Sequence, residues 1–500
     1  GAARLAARVT EELGVEMPVS AVFDAPVLAH QAEWIANQRG GALITSARPA
    51  AEVTGGRRPA GPDRTGDLRI PLSSWQARQF KYLRCSPTPL PTIPTPLAYR
   101  ITEPFDVDVF RAALEEIVGR HDSLRTYFAS TADGRIDAVV RDTRDPHLSV
   151  TEARGDTDQE RLAAARRMVE EFVSVPFSLE RGELFRSLVI RLAADDHVVV
   201  VVLDHMISDM LSIDVLRRDL AAVYTAFRDG RPSPLRPLAW RESDFAIWAH
   251  EQYDGNRSYW QETLDGAPGW VGPVPGQRVT SEPQDNRGLE FGLPSDVAKR
   301  IGAAFPGHGI TLYMAGLSVW SSVLSGLAAS REVIMTSPMS GRTRPEAEPL
   351  VGSIIQTLNL RIRTDGNPTF TELFSRVRRT VVEASEHQIF EHCQFIDQIP
   401  YPARFSLEYL STAPTGLTGV TSSQFPVGVN LVSRTAVVRD QDLNVPRMRM
   451  IDRPNGRLSG LLSYNTHAFA ESSIRAMANE FGRRLEAALE RPDARLSEFE

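Results

Sequence analysis

Six apolar residues, Val198-Val-Val-Val-Val-Leu203, run directly into Asp204-His205-Met206-Ile207-Ser208-Asp209-Met210-Leu211-Ser212. A β-branched run of this kind suits a strand covered on both faces. It is far shorter than the roughly 20 residues needed to cross a bilayer. The strand ends in ionisable groups, which are costly at a buried position unless they are paired or put to use. A histidine there is a candidate general base, because imidazole titrates near neutrality. The same spacing also fits a hydrogen-bonded core histidine, with Asp209 or Ser212 capping the amphipathic helix that follows.

The chain has 500 residues, more than one ordinary domain requires, and its 42% apolar and 24% charged residues are globular in balance. A net charge of −7 argues against a nucleic-acid face. The two cysteines, Cys85 and Cys393, fit a reducing, cytoplasmic setting and no metal cluster. Strands are expected at 95–102, 136–141, 186–192, 197–203, 332–337, 354–363, 404–411 and 458–464. Helices are expected at 108–121, 158–173, 212–227, 243–264, 295–305, 312–326, 369–385 and 471–489. The two types alternate over 70–235 and 290–500, which predicts two α/β lobes. Ahead of them, Leu5, Val9 and Leu13 and then Leu28, Ala32 and Ile35 mark two short helices. Residues 41–68, rich in Gly, Ala, Pro, Arg and Thr, read as a linker.

The motif after the apolar run resembles the His-His-x-x-x-Asp-Gly centre of nonribosomal peptide synthetase condensation domains. Other blocks of that family follow in order. They are Leu72-Ser-Ser-Trp-Gln76-Ala-Arg78, Arg120-His-Asp-Ser-Leu-Arg125-Thr-Tyr-Phe128, Asp244-Phe-Ala-Ile-Trp248, Ser340-Gly-Arg342-Thr-Arg-Pro345, Val351-Gly-Ser-Ile-Ile-Gln356-Thr-Leu and His387-Gln-Ile-Phe-Glu391. The first 40 residues resemble the C-terminal part of a peptidyl carrier protein, beginning after the serine that bears phosphopantetheine; Ser20 is not at the matching place.

The resemblance implies an α/β fold of two chloramphenicol-acetyltransferase-like lobes in a V-shaped pseudodimer, 69–240 and 241–500, preceded by the carrier fragment 1–40 and the linker 41–68. It implies amide formation between a donor thioester and an acceptor amine, each on a partner carrier protein. Phosphopantetheine arrives on those carriers, and no metal or directly bound cofactor is expected. His205 holds the place of the catalytic second histidine. Asp209 is expected to pair with Arg342 across the cleft, and Met210, Gln356, Ser411 and Thr412 to line the tunnel between the lobes.

Two positions depart from the pattern. Asp204 replaces the first histidine and is expected to turn away from the amine as a structural acceptor, since neighbouring residues on a strand face opposite sides. Met210 replaces glycine, where a thioether either narrows the tunnel or packs into the core. Asp204, Asp209 and Ser212 also fit the Asp-x4-Asp-x2-Ser motif of heterocyclisation domains, for which Ser411 or Thr412 with Asp440 or Asp442 would complete the site. A third reading is a non-catalytic recruitment domain. His121 is read as a structural contact, and Trp75, Trp240, Trp248 and Trp260 as core or interface anchors.

Overall fold

The run Val198–Leu203 occupies the middle of a sheet and is 0–3% exposed along its whole length. The computed structural model describes residues 2–15, 17–18, 21–22, 28–38, 67–85, 93–267, 286–328, 330–391, 403–409, 419–426, 446–453 and 456–499. Its strands in the first half are β1 Leu68–Ile70, β2 Pro94–Ile101, β3 Thr126–Ser130, β4 Ile136–Val140, β5 Leu148–Glu152, β6 Phe185–Ala193 and β7 Asp196–Asp204. The second half supplies β8 Asn286–Leu293, β9 Glu332–Met339, β10 Gln356–Arg363, β11 Ala403–Tyr409, β12 Ser422–Gln424, β13 Arg447–Asp452 and β14 Leu458–Asn465.

A five-stranded sheet has the order β12-β2-β7-β6-β5, and a six-stranded sheet the order β10-β9-β11-β13-β14-β8. A small third sheet is β1-β4-β3. The central β7 is antiparallel to both neighbours. Its valines are nonetheless buried on both faces, because helices Val107–Arg120, Asp158–Ser174 and Met210–Arg228 share its core. Burying each valine side chain stabilises the fold by about 1.5 kcal/mol or more, which is why the run shows no polar alternation. A separate core gathers around the six-stranded sheet, with Trp260, Trp320 and Phe481 at its centre. The architecture is mixed α/β, as expected.

Every strand and helix expected from periodicity is found within a few residues. One boundary is less simple than the sequence suggests. β12, far beyond residue 240, pairs with β2 in the first sheet, and Val420 and Phe425 beside it enter the first core. The N-terminal helices Ala2–Leu13 and Leu28–Gln38 carry a small core of their own, including Val9, Met17 and Ile35. No helix among the described residues is long and apolar enough to cross a membrane.

Candidate active site

β7 delivers the motif to the seam between the two large sheets. Asp204 is its last residue and is 1% exposed. Its Oδ1 accepts the Met206 N–H at 2.7 Å, and its carbonyl accepts the Ser208 hydroxyl at 2.9 Å. The carboxylate thus folds the turn that ends the strand. Its charge also acts on Arg186, opposing the burial that lowers that guanidinium's pKa. The expected structural role of Asp204 has this geometry behind it.

Asp209 caps the helix Met210–Arg228, and Ser212 closes the capping box. The Asp209 carboxylate receives both arms of Arg342, Nη1 to Oδ2 at 2.7 Å and Nη2 to Oδ1 at 3.0 Å. Arg342 comes from the turn after β9, so this forked pair joins the two halves. Arg342 Nη2 also donates to the Leu350 carbonyl at 3.1 Å. Ser212 Oγ accepts the Gly352 N–H at 3.0 Å and lies 2.9 Å from the Gly352 carbonyl oxygen.

Two glycines make this approach possible. A Cβ on Gly341, which has φ +68°, would fall 2.0 Å from the Ile354 carbonyl oxygen. A Cβ on Gly352 would fall 2.5 Å from Glu242 Cγ.

Further bonds close the seam. Ser123 Oγ donates to the Val351 carbonyl at 2.7 Å, and His121 Nδ1 accepts the Val351 N–H at 3.4 Å. Burial lowers the His121 pKa, so this ring is neutral and serves as an acceptor. Asp122 accepts Ser243 Oγ at 2.6 Å and Arg241 Nη1 at 3.2 Å. Most of these residues belong to the sequence blocks, and the fold brings the blocks together along one line.

His205 differs from its neighbours. The residue is partly exposed, while Asp204, Asp209 and Ser212 are 1%, 4% and 0% exposed. Its backbone N–H is tied to the Ile93 carbonyl at 3.0 Å. Its ring stacks on Trp75, with centroids 4.9 Å apart and planes at 29°. Trp240 and Trp260 are core anchors as expected, at 2% and 0% exposure. Trp75, expected as a core or interface anchor, is partly exposed and stacks on the motif histidine.

Met210 is 70% exposed, so it is not packed into the core. It sits at the first position of the helix Met210–Arg228. Gln356 is 2% exposed and donates to the Ile354 carbonyl at 3.1 Å. Ser411, Thr412, Asp440 and Asp442 lie outside the described residues. No His, Cys, Asp and Glu cluster able to hold a metal ion is found among the described residues.

Sequence reasoning missed Glu242. It opens the helix Glu242–Leu264, is 4% exposed, and lies against Gly352. Burial, reinforced by the Asp122 carboxylate, raises its pKa to about 8. The folded protein therefore holds a proton here that the unfolded chain releases above its ordinary 4.5. Stability should fall as pH rises between those values, by about 5 kcal/mol in all. Glu242→Gln should flatten that slope. Urea titrations of both proteins from pH 5.5 to 9 would test this, and parallel stability curves would show that Glu242 does not titrate in that range.

The family model for the condensation domain matches residues 69–500. The chain belongs to the condensation domain family. Domains of this family form peptide bonds between carrier-bound substrates in nonribosomal peptide synthetases. The condensation domain here is similar to the dimodular nonribosomal peptide synthase of Bacillus subtilis, 29% identical over 100% of this chain and 21% of the relative. It also resembles the phosphinothricin tripeptide synthetase of Streptomyces viridochromogenes, 31% identical over 71% of this chain and 33% of the relative. The chain thus spans a third or less of these relatives.

Among solved structures, the X-domain in complex with OxyB from teicoplanin biosynthesis superposes with a TM-score of 0.72 at 22% identity, covering 89% of this chain and 99% of that one. The first condensation domain of the calcium-dependent antibiotic synthetase gives 0.63 at 18% identity, covering 86% and 98%. These likenesses establish the fold.

Proposed function

We propose that this condensation domain forms an amide between a donor acyl or peptidyl thioester and an acceptor amine, both tethered to partner carriers, with His205 as the group that handles the amine proton. One observation carries the assignment. Asp204, Asp209 and Ser212 are buried in bonds that build the turn and the seam, and His205 alone among these four motif residues is partly exposed. The acceptor nitrogen attacks the thioester carbonyl, a C–N bond forms and the C–S bond breaks. The proton leaves through His205 and the donor thiol is released. Holding both tethered reactants at the seam supplies much of the acceleration by proximity.

The wider arrangement belongs to the same proposal. Residues 69–240 and 241–500 form the two chloramphenicol-acetyltransferase-like lobes of a V, and the two pantetheine arms meet at the Asp209–Arg342 seam. The separate cores of the two sheets support this division. Residues 1–40 are the trailing part of the upstream carrier, and the connection runs from 41 up to Leu68, which in β1 already pairs with Val140. The self-contained core of the first two helices supports that reading, as does similarity to a synthase extending over 100% of the chain. The setting is cytoplasmic, consistent with two cysteines. Met210 meets the substrate at the helix start, consistent with its exposure.

Intact-protein mass spectrometry of the downstream carrier tests the reaction. Donor and acceptor aminoacyl carriers are incubated with the domain, using Cys, Ser, Thr and non-nucleophilic acceptors in parallel. The expected product has the mass of the plain amide. Loss of a further water, seen only with Cys, Ser or Thr, would replace the proposal with heterocyclisation. No transfer from any pair, while a related domain with an intact motif works in the same assay, would replace it with recruitment.

A further inference from the structure

The block Leu72–Arg78 does more than start a helix. Ser73 N–H donates to Gln76 Oε1 at 2.8 Å, and Gln76 N–H donates to Ser73 Oγ at 3.2 Å, which caps the helix Ser74–Cys85. Gln76 Nε2 then donates to the Met206 carbonyl at 2.8 Å. The helix start is therefore fastened to the motif turn, one residue from His205. Trp75 stands at this fastened point with its indole stacked on the imidazole. The guanidinium of Arg78 lies 5.7 Å from the Trp75 ring centroid. Arg78 Nη1 donates to Thr357 Oγ1 on β10 at 3.2 Å. A chain of contacts thus runs from the second sheet through Arg78 and Trp75 to His205.

We propose that Trp75 is a positioning residue for His205, its flat face fixing the plane of the imidazole and screening one side of the ring from water, with Arg78 and Thr357 fixing the indole in turn. This rests on His205 acting on the amine. The backbone bond from His205 N–H to the Ile93 carbonyl does not itself set the ring's χ2. Stacking on Trp75 restricts it. The ring edge that must meet the amine is then aimed before substrate arrives, and misaim of about 1 Å costs up to 10²-fold in rate.

The test compares Trp75→Leu, which keeps bulk and loses the flat face, with Trp75→Phe, which keeps a face. Leu should lower kcat about 10-fold with KM within about twofold, and Phe should stay within about threefold of the parent. Melting temperatures of the two variants should agree. A simple packing role would make Leu and Phe equivalent, and equal kcat values for both would overturn the proposal.

Indole emission gives an independent readout, because a protonated imidazole in contact quenches it. The emission difference between the parent and Trp75→Phe should change between about pH 5 and 8. It should lose that pH dependence when both proteins also carry His205→Ala. The same dependence without His205 would overturn the stacking. Activity retained by His205→Ala would instead overturn the proposed function while leaving the emission result standing, so the two failures are distinct.

Discussion

His205→Ala should lower amide formation by about 10²–10⁴-fold, the usual contribution of a positioned acid–base group. The fold should survive. The residue is partly exposed, and the bond from its backbone N–H to the Ile93 carbonyl does not involve the side chain. The measurement is single-turnover transfer from a loaded donor carrier to a loaded acceptor carrier, with circular dichroism to confirm the fold. Transfer at the parental rate would remove His205 from the chemistry. Loss of both structure and transfer would place it with the seam residues.

Asp209→Ala should behave differently, harming stability and activity together. Asp209 and Arg342 have side chains only 3% and 4% exposed. Removing the carboxylate leaves a guanidinium buried beside Ser212 and Leu350, and breaking one side of a buried pair costs about 3–5 kcal/mol. It also removes the helix cap, worth about 1 kcal/mol, although the two losses overlap and do not simply add. Urea unfolding measures the effect. Asp209→Ala with Arg342→Met should recover part of it, because the stranded charge is gone. A single variant within about 1 kcal/mol of the parent would mean that water or another group takes the place of the carboxylate.

Much of this fold was legible because its elements carry strong periodic signals. β7 announced itself as an unbroken valine run, and the helix Phe370–Glu386 by its amphipathic spacing. Other elements carried weaker signals. β13, Arg447-Met-Arg-Met-Ile-Asp452, alternates as a half-buried strand should, with Met448 and Met450 at 0% exposure. Its arginines obscured it, although the alternation was there to be read. β12, Ser422-Ser-Gln424, has no apolar residue at all. It is a strand only because β2 offers an unpaired edge, and nothing local specifies that.

The site divides the same way. Asp209, Arg342, Asp204 and His205 were marked by family blocks, and the structure pairs Asp209 with Arg342 and builds Asp204 into the turn beside His205. Glu242 was invisible because a glutamate at a helix start usually faces water and favours the helix dipole. Here Gly352 packs over it instead. Trp75 was read as a core or interface anchor, and its contact with His205 was not legible because the two lie far apart in sequence.

The pairing of β12 with β2 bears on how such a chain is made and how it can be recombined. Thr102 N–H donates to the Thr421 carbonyl at 3.1 Å, and Phe425 N–H donates to the Ala98 carbonyl at 2.9 Å, extending the three-residue ladder at both ends. During synthesis, β2 leaves the ribosome with a bare edge and waits for most of the chain to follow. An exposed edge of that kind invites pairing with another molecule, so the first half made alone should be prone to aggregate. A chimera joined near residue 240 would take its edge strand from the foreign half. The Ser-Ser-Gln segment itself is replaceable, since it contributes backbone. Val420 and Phe425, seated in the first core on either side of it, set the register and are the residues a compatible donor must match.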